Sequence, residues 1–403
     1  MQLLCAVQQY HWGKLGSASL VARLGRANDP RLAVREESPY AELWMGTHPS
    51  GPAVVRATGE ALGGWLRRNP CSLGARVLEQ FGQDLPFLFK VLSVRQALSV
   101  QAHPAKGHAE ELHRLRPDLY KDPNHKPELA VALTPFQAMC DFRPAKEIRS
   151  FLQNIAELRE VVGEDAASRF VTCDEAGQQE ALKACFSALM MASSDCVASQ
   201  LTCLIKRVST LGEADRNFVL APLLEELESQ FPGDVGCFVI YFLNVMTLQP
   251  GEALFLAPNE PHAYLSGDCV ECMACSDNVV RAGLTPKHKD IKTLCEMLTY
   301  NCQPAADKLF VPSREDDCTQ VFLPPVSDFA VAHINVTLPK KRYALRQRST
   351  ASILLVVEGS ASTSDPELLL SPGSVVFLPA CAELSVHPTG DVALDIYQAF
   401  ANV

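Results

Sequence analysis

Pro250-Gly251-Glu252-Ala253-Leu254-Phe255-Leu256-Ala257-Pro258-Asn259-Glu260-Pro261-His262 has a second copy later in the chain. The copy is Pro372-Gly373-Ser374-Val375-Val376-Phe377-Leu378-Pro379-Ala380-Cys381-Ala382-Glu383-Leu384. Each opens on a Pro-Gly turn, runs through an apolar strand into a proline-containing turn, and enters another strand. A repeated strand–turn–strand unit predicts two related β-rich regions in one chain. The copies part at their last residue, an imidazole in the first and an aliphatic side chain in the second.

Upstream lies Leu98-Ser99-Val100-Gln101-Ala102-His103-Pro104, followed later by Lys126-Pro127-Glu128. Read as a strand, it alternates: Leu98, Val100 and Ala102 face one way, and Ser99, Gln101 and His103 the other. A polar row on an otherwise apolar strand is costly to bury unless it binds something. An amide oxygen, an imidazole nitrogen and a carboxylate are ligands that zinc accepts. A core histidine beside Pro104 and an exposed Gln101 are the plain alternative. Pro86-Phe87-Leu88-Phe89-Lys90-Val91-Leu92 shows a related feature, one lysine among apolar residues.

Residues 1–104 read mostly as short strands and turns, 105–119 as a helix, and 129–133 as a strand. From Ala145 to Phe231 the period becomes helical. Ile148, Phe151, Leu152, Ile155 and Leu158 form one stripe, and Val197, Leu201, Leu204, Ile205 and Val208 another. Strand character returns over Cys237–Leu248, and residues 309–403 read as strands and Pro/Gly turns.

At 403 residues the chain predicts two or three domains. No apolar run reaches membrane-spanning length, and the start lacks the pattern of a signal peptide. A net charge of −10 argues against nucleic-acid binding. The 15 cysteines, odd in number and set in apolar runs, fit a reducing compartment, hence a cytoplasmic protein. Cys269, Cys272 and Cys275 have a spacing that thiolate metal sites use, but lack a fourth cysteine and sit among core-like residues.

The repeated unit resembles the second motif of cupins, small barrels of the jelly-roll type. In that motif a metal-binding histidine lies eleven residues after the glycine, which is His262 in the first copy and Leu384 in the second. His262 thereby joins Gln101, His103 and Glu128, with Gln101 standing where cupins usually place a histidine. Four such ligands leave room for water or substrate, as a catalytic zinc site requires.

Longer motifs are similar to type I phosphomannose isomerases. They are Gln101-Ala102-His103-Pro104, Asn124-His125-Lys126-Pro127-Glu128, Pro258 to Tyr264, and Asp277-Asn278-Val279-Val280-Arg281-Ala282-Gly283-Leu284-Thr285. Tyr40 to Gly46 and Phe87 to Leu92 fit the same family. The resemblance implies a mainly β fold of two cupin-like jelly-roll barrels with an α-helical insert. The corresponding regions are 1–144 with 233–305 for the catalytic barrel, 145–232 for the insert, and 306–403 for a C-terminal barrel without metal ligands. It implies one zinc ion per chain on Gln101, His103, Glu128 and His262, and a catalytic place for Arg281. The implied reaction interconverts mannose 6-phosphate and fructose 6-phosphate, a step toward GDP-mannose.

Moving a proton between C1 and C2 needs a base, enediolate stabilisation and a phosphate clamp. Glu271 is the first choice of base, with a salt-bridge role for it equally open. Arg281 suits the oxyanion, and Lys126 proton donation or substrate binding. Lys90, Ser99 and Lys287 suit the phosphate. Tyr264, Asp277, Trp12 and Glu42 complete the expected substrate pocket of a monomeric enzyme with a small sugar-phosphate partner, no nucleic acid and no membrane. An iron(II) cupin oxygenase and a non-catalytic sugar-binding protein are the competing classes. Gln101 in place of a histidine, with the lysine and arginine set, argues against the first, and the complete ligand set of the first copy against the second.

Overall fold

Phe87–Val94 is buried along its whole length, so both of its faces and both of its edges must be covered. In the computed structural model, which describes residues 1–338 and 340–403, that cover is complete. The strand pairs with Glu42–Met45 on one side and with the long strand His262–Ala274 on the other. The main path of this antiparallel sheet runs Leu243–Leu248, Phe136–Phe142, His262–Ala274, Phe87–Val94, Glu42–Met45, Ala6–Gln8.

His262–Ala274 is the spine of the site. Its first half pairs with Phe136–Phe142 and Val100–Ala102, and its second half with Phe87–Val94 and Glu128–Ala132. Gly267 is the corner between the halves. Its φ is +114°, and a Cβ there would lie 2.5 Å from the Pro135 carbonyl oxygen, so only glycine fits. Outside this spine, Ala253–Leu256 pairs with Glu128–Ala132, and Val280–Gly283 with Val100–Ala102.

The C-terminal part builds a six-stranded sheet from strands between Ser313 and Phe400, and a three-stranded one from Tyr343–Ala344, Ser385–Thr389 and Ser360–Thr363. Phe322, Ile353, Phe377 and Tyr397 share one apolar core with Leu43, Phe87, Phe89 and Val270. The two sheet-rich regions are therefore packed directly on each other.

The helical stripes fold as their period predicts. Ile148, Phe151, Leu152, Ile155 and Leu158 are buried, as are Val197, Leu201, Leu204 and Val208, while Ile205 is half-buried. Ser193 caps Ser194–Val208 by accepting from the Cys196 N–H. No single helix among the described residues is long and apolar enough to cross a membrane.

Two expectations are corrected. Residues 1–104 contain three helices, Leu20–Asn28, Leu62–Arg68 and Ala75–Phe81, each too short to impose a clear period. Gly236–Val239 is a helical turn, and the next strand starts only at Leu243. That apolar run is buried whichever way it folds, so pattern could not separate the two states. Asp234 decides it locally, its carboxylate accepting from the N–H groups of Gly236 and Leu284. Cys269 and Cys272 stand on one strand at odd spacing, so their side chains point to opposite faces, into two different cores. They do not converge on a metal, which agrees with the core-like setting read from the sequence.

Candidate metal centre and cleft

Three neighbouring strands set candidate site residues side by side. His262 is the register partner of Gln101, and Gln101 of Arg281. Directly paired residues share a face of the sheet. Glu128 arrives on another strand paired to the spine, opposite Met273. Donor atoms of His103, Glu128 and His262 all lie within 4.8 Å of one another, and the three residues are buried.

Each imidazole is oriented from behind. His103 Nδ1 donates to the Asn278 carbonyl (2.8 Å), and His262 Nδ1 to the Glu260 carbonyl (3.0 Å). Both Nε2 lone pairs then face Glu128, at 3.3 Å from His103 and 3.6 Å from His262. A lone pair cannot hydrogen-bond a carboxylate. His103 Nε2 and Glu128 Oε2 are accordingly buried with no partner, a costly arrangement unless a cation completes it. Burial pushes the His103 imidazole down to about 4, against the opposing pull of Glu128, so it is neutral at pH 7. Burial also opposes the charge on Glu128, but the cationic Lys126 ammonium 3.1 Å away wins and holds the carboxyl well below its usual range. A neutral imidazole and an ionised carboxylate are the states a divalent metal needs, and the donor set fits zinc. The Gln101 amide lies 3.4 Å from His262 Nε2, and turning it over its own shape would present Oε1 to the cluster.

Of these residues, Glu128 and Gln101 line a cleft of about 390 Å³, and the two buried imidazoles stand behind Glu128. Every other residue expected in the pocket lines it: Trp12, Glu42, Lys90, Ser99, Gln101, Lys126, Tyr264, Glu271, Asp277, Arg281 and Lys287. One wall is a buried ionic row. Trp44, Lys90 and Glu271 are consecutive cross-strand partners. Lys90 Nζ lies 3.1 Å from Glu271 and 3.5 Å from Glu42, and over the Trp44 ring. Burial opposes the Lys90 charge, but the two carboxylates outweigh it and push the ammonium up. Burial raises Glu271, against the lowering pull of Lys90. The Tyr264 hydroxyl is buried without a hydrogen-bond partner, and burial, then Glu271, pushes it up.

The other wall is basic. Among the described residues neither Arg281 nor Lys287 has a carboxylate within 4.0 Å, whereas Lys90 and Lys126 do. Burial lowers Arg281, and burial followed by the Arg281 charge lowers Lys287. Ser99 Oγ donates to Gln101 Oε1 at 3.0 Å. Asp277 is exposed at the rim, and His48, 3.5 Å away, holds its carboxyl below the usual range.

Sequence reasoning did not single out Trp44, His48 or Asn278. Trp44 and Asn278 stand inside motifs quoted for other residues, so the signal was present. Besides orienting His103, Asn278 donates from its amide to the carbonyl of Asn124, tying down the loop that carries Lys126. His48 offered no signal, because its partner is 229 positions away in the chain.

Two family models match. "Phosphomannose isomerase type I, catalytic domain" covers residues 1–145, and "Phosphomannose isomerase type I, helical insertion domain" residues 159–243. Among curated proteins the chain is similar to mannose-6-phosphate isomerase of Bos taurus, at 49% identity over 98% of this chain and 97% of the relative. It is 48% identical to the Homo sapiens protein of the same name, with the same coverage. Among solved structures it resembles a mannose 6-phosphate isomerase bound with zinc and yttrium. The TM-score is 0.84 and the identity 33%, over 100% of this chain and 99% of the other.

Proposed function

The chain belongs to the type I phosphomannose isomerase family, and from that premise we propose that it interconverts D-mannose 6-phosphate and D-fructose 6-phosphate with one zinc ion per chain. The observation that carries the reading is the pairing of two features in one cleft. The buried His103, Glu128 and His262 cluster meets the cleft through Glu128, and two cations that have no carboxylate partner among the described residues, Arg281 and Lys287, line the same cleft.

Gln101, His103, Glu128 and His262 would hold the ion. When bound, it supplies a Lewis acid that orients and polarises the C1 and C2 oxygens of the opened sugar. The remaining steps belong to the protein. Glu271 takes the proton from C2 or C1 and returns it to the neighbouring carbon, through an enediol, while Lys126 passes the matching hydroxyl proton from one of the two oxygens to the other. Burial raises the Glu271 carboxyl, which strengthens it as a proton acceptor, and Lys90 holds the carboxylate in place. Lys90 is already balanced by Glu42 and Glu271, so its part is to position that base rather than to meet the phosphate. Arg281, next to Gln101 in register, donates to the developing enediolate; as a guanidinium it cannot be the base. Lys287, at the exposed rim, takes the phosphate together with Ser99. Lys126, held by Glu128, and Tyr264 line the reacting end, and Asp277, Trp12 and Glu42 the sides.

We further read the two sheet-rich regions as cupin-like barrels and the insert as a domain of its own. In the cell the reaction would supply mannose 6-phosphate for GDP-mannose. The test is a coupled assay with mannose 6-phosphate before and after chelation, with zinc added back. Activity should vanish and return, and free mannose should be a very poor substrate. Similar efficiency on mannose and mannose 6-phosphate would remove the phosphate assignment, and full activity after verified zinc removal would remove the metal.

A further inference from the structure

Lys308 lies outside the cleft, yet its side chain is only 8% exposed and sits between two carboxylates. Its Nζ is 2.9 Å from Glu260 Oε2 and 3.6 Å from Asp141 Oδ2. Both partners hold the turn that leads into His262. Glu260 supplies the carbonyl that accepts from His262 Nδ1, and its carboxylate also accepts from the Ala257 N–H at 3.2 Å. The side chain thus closes the turn Ala257–Pro261, which delivers His262 to the cluster.

Asp141 brackets the same turn from the other side. Its N–H donates to the Pro261 carbonyl (2.8 Å), and its neighbour Cys140 is the register partner of His262. Asp141 is fully buried and adopts a left-handed backbone, φ 55°, at a bulge between Cys140 and Phe142. A non-glycine residue keeps such a conformation only where its surroundings force it. Gln303 donates to the Asp141 carboxylate at 2.8 Å, and Lys308 balances its charge. Lys308 and Gln303 both come from the segment that leaves the cleft's sheet for the C-terminal part.

We infer that Lys308 is a positioning residue for His262: its ammonium ties Glu260 to Asp141 and so fixes the carbonyl that orients the imidazole. The inference rests on the metal reading above. Without the ammonium, two neighbouring carboxylates would be left unbalanced. Glu260 would turn toward solvent, and the His262 Nδ1–H would lose its fixed acceptor. Groups that orient a metal-bound histidine typically change metal affinity about 10- to 100-fold when removed.

The experiment uses zinc-loaded full chains mixed with an excess of a colorimetric zinc chelator, with release followed in time. Melting curves of the zinc-loaded and zinc-free proteins are taken alongside. Lys308→Met should release zinc about 10- to 100-fold faster than the natural chain. It should also lose part of the melting-temperature difference that zinc confers. Lys308→Arg keeps the charge and should restore most of the retention. Glu260→Ala, at a half-buried position, carries the same expectation as Lys308→Met and serves if that variant does not fold. Natural release rates in both Lys308→Met and Glu260→Ala would overturn the inference, even if zinc-loaded and zinc-free forms melted lower by equal amounts. A natural chain that takes up no zinc would instead overturn the metal reading itself.

Discussion

Gly251 and Gly373 adopt φ of +88° and +86°, and eight residues later Asn259 and Cys381 both turn left-handed, at +65° and +60°. The two copies of the Pro-Gly unit therefore share a backbone path as well as a sequence pattern. Strand register extends the match. His262 pairs with Gln101, and a backbone hydrogen bond joins Leu384 to Leu345 in the corresponding place. Leu256 opposes Glu128, and Leu378 opposes Ser352. Glu271 lies between Lys90 and Ala130, and Gln398 between Ala332 and Leu354. Where the first region gathers Gln, Glu, His, Glu and Lys, the second has Leu, Ser, Leu, Gln and Ala at matching positions. Leu345 and Leu384 are buried in its apolar core. One backbone frame can thus enclose a polar site or a packed interior. The choice lies in a few side chains, because buried polar groups persist only when they converge on one another or on a ligand.

The largest expected effect separates the copies at their final residue. His262→Ala should abolish most zinc retention and activity, read by metal analysis and turnover. If instead two zinc ions were bound per chain and both were needed, the contrast between the copies would collapse. Next is Glu271→Gln, which installs the amide that the second region carries at Gln398. The fold should survive, and turnover should fall by about 10²–10⁴ if Glu271 is the base. A variant with near-natural turnover would leave Glu271 as only the partner of Lys90.

Arg281 stands on Val280–Gly283, a strand with no described counterpart beside Tyr343–Ala344. Arg281→Ala should lower turnover about 100- to 1000-fold with a modest change in KM and zinc still bound. Arg281→Lys keeps the charge, loses the planar fork, and should rescue little. Near-normal turnover with a much raised KM would move Arg281 to the phosphate. Lys287→Ala should do what Arg281→Ala does not, raising KM for the sugar phosphate with little loss of turnover. Last, Leu384→Ala should leave zinc content and kinetics unchanged at low temperature. It should cost about 2–5 kcal/mol of stability, as expected for a leucine removed from a core and readable by denaturant melts.

The helical insert was legible from sequence because a 3.6-residue period reports which face is buried, and that is a local property. His262 was legible for a related reason. The Pro-Gly turn and the spacing after it repeat in Leu384's copy, so the difference at one position stood out. The ligand identities came from motifs short enough to be read without knowing which strands meet.

Other features depended on pairing. Lys90 and Glu271 lie 181 positions apart in the chain, yet are direct cross-strand neighbours, so Lys90 read as a free phosphate ligand until its carboxylates appeared beside it. The hold of Lys308 on the turn before His262 likewise joins segments that no local pattern connects. By itself the sequence determined the helical segment, the repeated turns and the types of residue available to bind a metal. Only the tertiary structure decided which charges are already balanced and which, like Arg281 and Lys287, have no carboxylate partner among the described residues, because alternation along a strand fixes the face of a side chain but not the neighbour it meets there.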